Sequence, residues 1–99
     1  MKVRFLAPAR AELREAVSYL DKRRDGLGRE FLEEVRAATQ RIETNPTAWA
    51  SLSENIRRCR TRRFKYGLIY EANNDEIVII AVAHLHREPT YWRGRKDDT

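Results

Sequence analysis

Seven consecutive apolar residues, Ile77-Val78-Ile79-Ile80-Ala81-Val82-Ala83, begin one residue after the turn-forming Asn73-Asn74-Asp75, and this run constrains the fold more than any other feature. It is too short to cross a bilayer, which takes about 20 helical residues. It is rich in β-branched residues, which favours an extended chain. No polar residue interrupts it, so neither face of the strand is meant for water. The chain must therefore build a sheet with this strand at its centre and cover it on both sides, all within 99 residues. A length of that order supports one domain with one core.

The flanking segments supply the sheet. Tyr66, Leu68 and Tyr70 alternate with Lys65, Gly67, Ile69 and Glu71, and Ile56 to Thr61 reads as a second, heavily basic strand. The turn at residues 73–75 joins the Tyr66 strand to the apolar run. Lys2 to Leu6 is a short strand with Val3 and Phe5 on one face. Two helical stripes lie between. The first, opened by Pro8, runs through Leu13, Ala16, Val17 and Leu20. The second runs through Leu27, Phe31, Val35, Ala38 and Ile42 and stops at Asn45-Pro46, since the residue before proline is pushed out of helical geometry. Asp25-Gly26 separates them, which predicts an antiparallel helical hairpin. Residues 46–55 read as a loop anchored by Trp49. The expected order is β-α-α-β-β-β, an α+β domain over residues 1–92 with the hairpin on one face of an antiparallel sheet. Residues 93–99 read as a basic/acidic, poorly ordered tail. The Tyr91-Trp92 pair predicts that the segment before it folds back onto the sheet.

Charge and cysteine content narrow the function classes. One cysteine, Cys59, permits neither an internal disulfide nor a two-cysteine metal site and reads as a small apolar filler. No apolar run of signal-peptide length opens the chain, which predicts a cytoplasmic protein with no membrane association. There is no Gly-rich phosphate loop after a strand, no nucleophile elbow and no metal-ligand pair at helical spacing. Neither cofactor nor metal is expected. Glu30, Glu33 and Glu34 read as a solvated helix face.

The formal charge is +5, and local density matters more than the total. Arg57, Arg58, Arg60, Arg62, Arg63 and Lys65 fall within ten residues that contain no acid. Alternation along a strand puts Arg58, Arg60 and Arg62 on one face, with Arg57, Cys59 and Thr61 on the other. Such a row either keeps a sheet face soluble or docks phosphates or an acidic protein segment. His84 ends the apolar strand, with His86, Arg87 and Tyr91 following. A set of that composition suits acid–base chemistry on RNA, with His84, Arg87 and Tyr91 as its working groups; equally, His84 caps the strand and Tyr91-Trp92 plug the sheet.

These residues resemble the RelE/ParE toxin superfamily, the toxins of type II toxin–antitoxin (plasmid stabilisation) modules. The likeness lies in the element order, the Asn45-Pro46 stop, Arg62-Arg63-Phe64-Lys65-Tyr66 leading into Leu68-Ile69-Tyr70, and Ala81-Val82-Ala83-His84 followed by Arg87, Pro89, Tyr91 and Trp92. It runs from Phe5 to Trp92, and the last segment favours the ParE-like branch. Lys65 stands where the group often has proline, and Thr90 where glycine is common. The resemblance implies a growth inhibitor bound by a cognate, ParD-like antitoxin with an acidic amphipathic C-terminal segment, the pair forming a hetero-oligomer. Operator DNA would be met only through that antitoxin. For a ParE-like toxin the implied target is DNA gyrase, inhibited without catalysis; the alternative is a RelE-like, ribosome-dependent mRNA endonuclease. Candidate target-binding residues are Arg58, Arg60, Arg62, Lys65, His86, Arg87, Tyr91 and Trp92. Candidate antitoxin contacts are Tyr19, Leu20, Trp49, Arg58 and Arg60. A third class is an interaction domain without toxicity.

Overall fold

A computed structural model describes residues 1–95. The elements are β1 (Lys2–Phe5), α1 (Ala7–Arg23), α2 (Leu27–Thr44), β2 (Ala50–Ser51), β3 (Ile56–Arg60), β4 (Tyr66–Ala72) and β5 (Glu76–His84). They form an α+β domain with a five-stranded sheet in the order β1-β5-β4-β3-β2. Two details differ from expectation. β1 runs parallel to β5, pairing Lys2 with Glu76 through Phe5 with Ile79, so the sheet is mixed rather than wholly antiparallel. The hairpin of helices makes this possible, because it carries the chain from the end of β1 back over one face. The loop 46–55 also contains β2, a two-residue strand that pairs Ala50 with Arg58 and Ser51 with Arg57.

The apolar run is the central strand, and Ile77 through Ala83 are all buried. Its alternation breaks once. The register moves from Tyr70 opposite Ile79 to Ile69 opposite Ala81, a β-bulge at Ile80. Ile77, Ile79 and Val82 face the helices. Val78, Ile80, Ala81 and Ala83 face the other way.

The helices earn their place through one stripe each. Phe31, Val35, Ala38 and Ile42 on α2 are buried, as are Ala9, Ala16 and Leu20 on α1. Phe31 alone, at 0% exposure, contributes roughly 2–3 kcal/mol by its burial. The link of residues 24–26 ends in Gly26 at φ 86°, a left-handed conformation that glycine adopts without strain. Gly28 then lies against α1, its N–H donating to Asp21 Oδ1 at 2.8 Å. Tyr70, fully buried in the helix-side core, donates its hydroxyl to the carbonyl of Pro46 and so fastens the loop after α2.

The opposite face of the sheet is covered by the chain after β5. Trp92 packs there at 2% exposure with Leu6, Ile69 and Ile80, and Leu52, Ile56 and Tyr91 close around it. The Tyr-Trp pair thus does fold back. Of residues 93–99, Arg95 is tied to Glu12 on α1; residues 96–99 lie outside the described ones.

Candidate functional site

The basic strand β3 divides its arginines between two faces. Arg58 and Arg60 share the face away from the helices, as alternation requires. Arg58 lies across β4 over Gly67, where a methyl group would fall 2.9 Å from its Cγ and 3.0 Å from its Cδ. The missing side chain at Gly67 is the seat that directs Arg58. On the other face Arg57 Nη1 donates to the Trp49 carbonyl at 2.9 Å, and Cys59 is buried in the core.

Arg62 does not continue the row. The strand ends at Arg60, and the Thr61 hydroxyl sits against the carbonyl oxygens of Phe64 and Tyr66 at 2.8 and 3.2 Å. Phe64 takes φ 60°, and the chain turns. The turn sends Arg62 toward α2, where its N–H and that of Arg63 donate to Glu34 Oε1 at 2.9 and 3.2 Å. Arg62 lines a depression beside Arg41 and Trp49 instead. Arg63 pairs with Glu30 at 2.9 Å, and Arg63 and then Arg24 hold the Glu30 carboxyl below its usual value. Among the described residues, Arg58, Arg60, Arg62 and Lys65 form no ion pair. Part of the acid-free cluster is therefore neutralised internally, and four cations remain available.

The end of β5 carries an aromatic ladder. Ring centroids step from Phe31 to Tyr66 at 4.9 Å, from Tyr66 to His84 at 5.1 Å, and from His84 to His86 at 5.1 Å. The ladder begins in the core and ends in solvent. The His86 N–H donates to His84 Nδ1 at 3.1 Å, and the Arg87 N–H donates to the His84 carbonyl at 3.0 Å, so His84 does cap the strand. A cleft of about 230 Å³ opens here, lined by Glu12, Tyr19, Tyr66, His84 and Arg87 among others. Tyr19, 54% exposed, accepts a hydrogen bond from Arg23 Nη1 at 2.8 Å. The structure thus brings Tyr19 of α1 to the same cleft as His84 and Arg87.

Tyr91 and Trp92 sit differently. The Tyr91 ring lies under the Arg87 guanidinium at 3.7 Å, with that of Arg95 at 5.1 Å. Its hydroxyl is buried; burial first, and the adjacent Glu12 carboxylate second, push the phenol well above its usual value. His84, Arg87 and Tyr91 border one small pocket, but the Tyr91 hydroxyl is buried, and the open cleft is lined by His84 and Arg87 without it. Trp92 is a core side chain rather than a contact surface, and Leu20, 7% exposed, is likewise core rather than an antitoxin anchor. Trp49 is half-buried, its Nε1–H donating to the Arg41 carbonyl at 3.4 Å.

Sequence reasoning missed two features. The hairpin carries a groove of about 550 Å³ along its outer side, with Leu13, Val17 and Leu32 as floor and Arg14, Asp21 and Lys22 at the rim. Leu32, 40% exposed, falls off the buried stripe of α2 and was the available signal. The second is Glu12, which meets Arg95 across 83 residues of sequence. Among the described residues, no group of three histidine, cysteine or carboxylate side chains is placed to hold a metal. No helix is long and apolar enough to cross a membrane.

Residues 3–89 match the family model described as the ParE toxin of the type II toxin–antitoxin system parDE. Among curated proteins, the chain is 35% identical to Toxin ParE2 of Mycobacterium tuberculosis over 79 residues, 79% of this chain and 75% of the relative, in both strain CDC 1551 / Oshkosh and strain H37Rv. Among solved structures it shares its fold, at a TM-score of 0.66 and 15% identity, with a chain from the chromosomal ParDE system of P. aeruginosa, covering 86% of this chain and 96% of that one. With the match spanning both helices and all five strands, the chain belongs to the ParE toxin family of type II toxin–antitoxin systems.

Proposed function

We propose that this ParE-family chain arrests growth by inhibiting DNA gyrase in the cytoplasm, without catalysis, and that a ParD-like antitoxin neutralises it. The observation that carries the reading is the family match over residues 3–89. The covered hydroxyl of Tyr91 supports it against a ribosome-dependent nuclease, since an acid–base group must reach the proton it moves.

Two surfaces divide the work in this reading. Arg58, Arg60 and Lys65, with His86 and Arg87 at the end of the aromatic ladder, form the target face. Among the described residues the Arg58, Arg60 and Lys65 charges are unspent, and Arg87 is only loosely engaged at 3.6 Å from Glu12. The outer groove of the hairpin takes an amphipathic antitoxin segment, with Leu13, Val17 and Leu32 receiving apolar side chains. Arg14 and Lys22 at its rim, and the net charge of +5, favour an acidic partner. Tyr19 borders the target cleft, and Trp49 lies beside Arg62, so either is within reach of a partner that wraps the hairpin. Operator DNA is met through the antitoxin alone.

The test is a supercoiling assay with purified chain. Loss of supercoiling with accumulation of cleaved DNA, reversed by antitoxin, is the expected result. Codon-linked cleavage of mRNA on ribosomes, lost in Arg87→Ala, would replace this reading with the nuclease one.

A further inference from the structure

β1 stops at Phe5, and its last contact with β5 is the Leu6 N–H donating to the Ile79 carbonyl at 3.0 Å. Past that point this edge of β5 has no neighbouring strand, and the bulge at Ile80 lies there. An open edge on a central apolar strand is a liability. Two side chains take its polar groups. Glu12 Oε1 accepts the Val82 N–H at 3.0 Å, and Arg95 Nη1 donates to the Ile80 carbonyl at 2.9 Å. The same two side chains grip each other through two bonds of 2.9 Å, the forked geometry that makes guanidinium–carboxylate pairs strong. Helix α1, the β5 edge and the end of the described chain thus meet at one carboxylate whose side chain is 9% exposed.

A second arginine approaches the same carboxylate on different terms. Arg87 stands 3.6 Å from Glu12 Oε2 and is 54% exposed, against 18% for Arg95. Arg95 already satisfies the buried charge. Arg87 is drawn toward Glu12 and laid over the Tyr91 ring at 3.7 Å, and its half-exposed side chain lines the cleft. Burial opposes ionisation of Glu12, but the hydrogen bonds from Arg95 and the Val82 N–H help to outweigh it and lower its pKa, so the charge that holds both arginines persists at neutral pH.

We propose that Glu12 is a positioning residue: with Arg95 as strut, it fastens residues 85–95 to the open edge of β5 and so holds Arg87 ready at the target face. What Arg87 contacts rests on the function proposed above; the fastening does not. The variants are Glu12→Gln, which keeps the volume and an acceptor for Val82, and Arg87→Gln, which leaves the Glu12–Arg95 pair intact.

Amide hydrogen exchange on the free toxin is the first readout. Glu12→Gln should speed exchange at Val82 and across residues 85–95 at least tenfold while amides of β3 and β4 keep their rates. Arg87→Gln should leave both sets unchanged. Gyrase inhibition is the second readout, and both variants should weaken it about tenfold with antitoxin affinity held within about threefold. Unchanged exchange in Glu12→Gln overturns the proposal, as does acceleration spread evenly over the sheet, which marks a merely structural role. Local loosening with full gyrase inhibition overturns the positioning role for the target. If the wild-type chain leaves gyrase untouched, the function reading falls, and the exchange pattern alone decides the fastening.

Discussion

Gly28→Ala offers a test whose sign separates two accounts of a helical glycine. Near the start of an open helix, alanine would stabilise by up to about 1 kcal/mol, because it restricts the unfolded chain and favours the helix. Here the added methyl would lie 2.8 Å from Val17 Cγ1, 2.8 Å from the Val17 carbonyl oxygen and 2.9 Å from Asp21 Cγ. The first and third can be relieved by rotating side chains; the carbonyl is backbone and cannot. α1 and α2 must separate, which costs about 1–3 kcal/mol as overpacking. It also stretches the 2.8 Å bond from Gly28 N–H to Asp21, worth about 1 kcal/mol. The net is a loss near 2 kcal/mol, a drop in Tm of about 8–16 °C for a domain this size. Calorimetry or urea unfolding reads it. Adding Val17→Ala should recover less than half of the loss, since the carbonyl remains. An unchanged or raised Tm in Gly28→Ala would refute the close helix crossing.

Three further outcomes are expected. Tyr70→Phe removes the hydroxyl donated to the Pro46 carbonyl and should cost about 0.5–1.5 kcal/mol in urea unfolding; burial pushes that phenol up to about 12 from its usual 10.0, so the folded state holds a proton that the unfolded chain releases. Stability should therefore decline as pH rises from about 10 to about 12, and less steeply in Tyr70→Phe. Gly67→Ala displaces the Arg58 stem without touching backbone, so gyrase inhibition should weaken severalfold while Tm moves by no more than about 4–8 °C, the equivalent of 1 kcal/mol; full inhibition would mean that Arg58 needs no seat. Raising salt should slow antitoxin association more than it speeds dissociation in stopped-flow mixing, as rim electrostatics require.

The parts of the fold that were legible in sequence are those where local pattern and tertiary environment agree. The apolar run had one physical solution, and Ile77 to Ala83 became the covered central strand. The Phe31, Val35, Ala38 and Ile42 spacing could only be a helix face, and Asn45-Pro46 ended it. The bulge at Ile80 was hidden because a strand apolar on both faces looks the same in either register. β2 was hidden because two exposed residues carry no period. At the candidate site, Arg58 and Arg60 followed from alternation, whereas Arg62 depended on where the strand stopped, which a buried threonine and a left-handed Phe64 decided. Trp92 and Leu20 were misplaced because an aromatic or a leucine at a stripe's edge serves core and interface equally well. Glu12 and Arg95 were invisible as a pair: each reads as an ordinary surface charge until the fold joins the chain's two ends.

The central claim is that the unpaired cations beside the aromatic ladder are the face that meets the target. Titrating purified wild-type chain and the Arg58→Ala/Arg60→Ala variant against gyrase supercoiling tests it most directly. Among the described residues neither arginine forms an ion pair or belongs to the core, so the variant should fold. The expected result is a wild-type chain that blocks supercoiling and leaves cleaved DNA, and a variant at least tenfold weaker. Equal inhibition by the two proteins would contradict the assignment of that face.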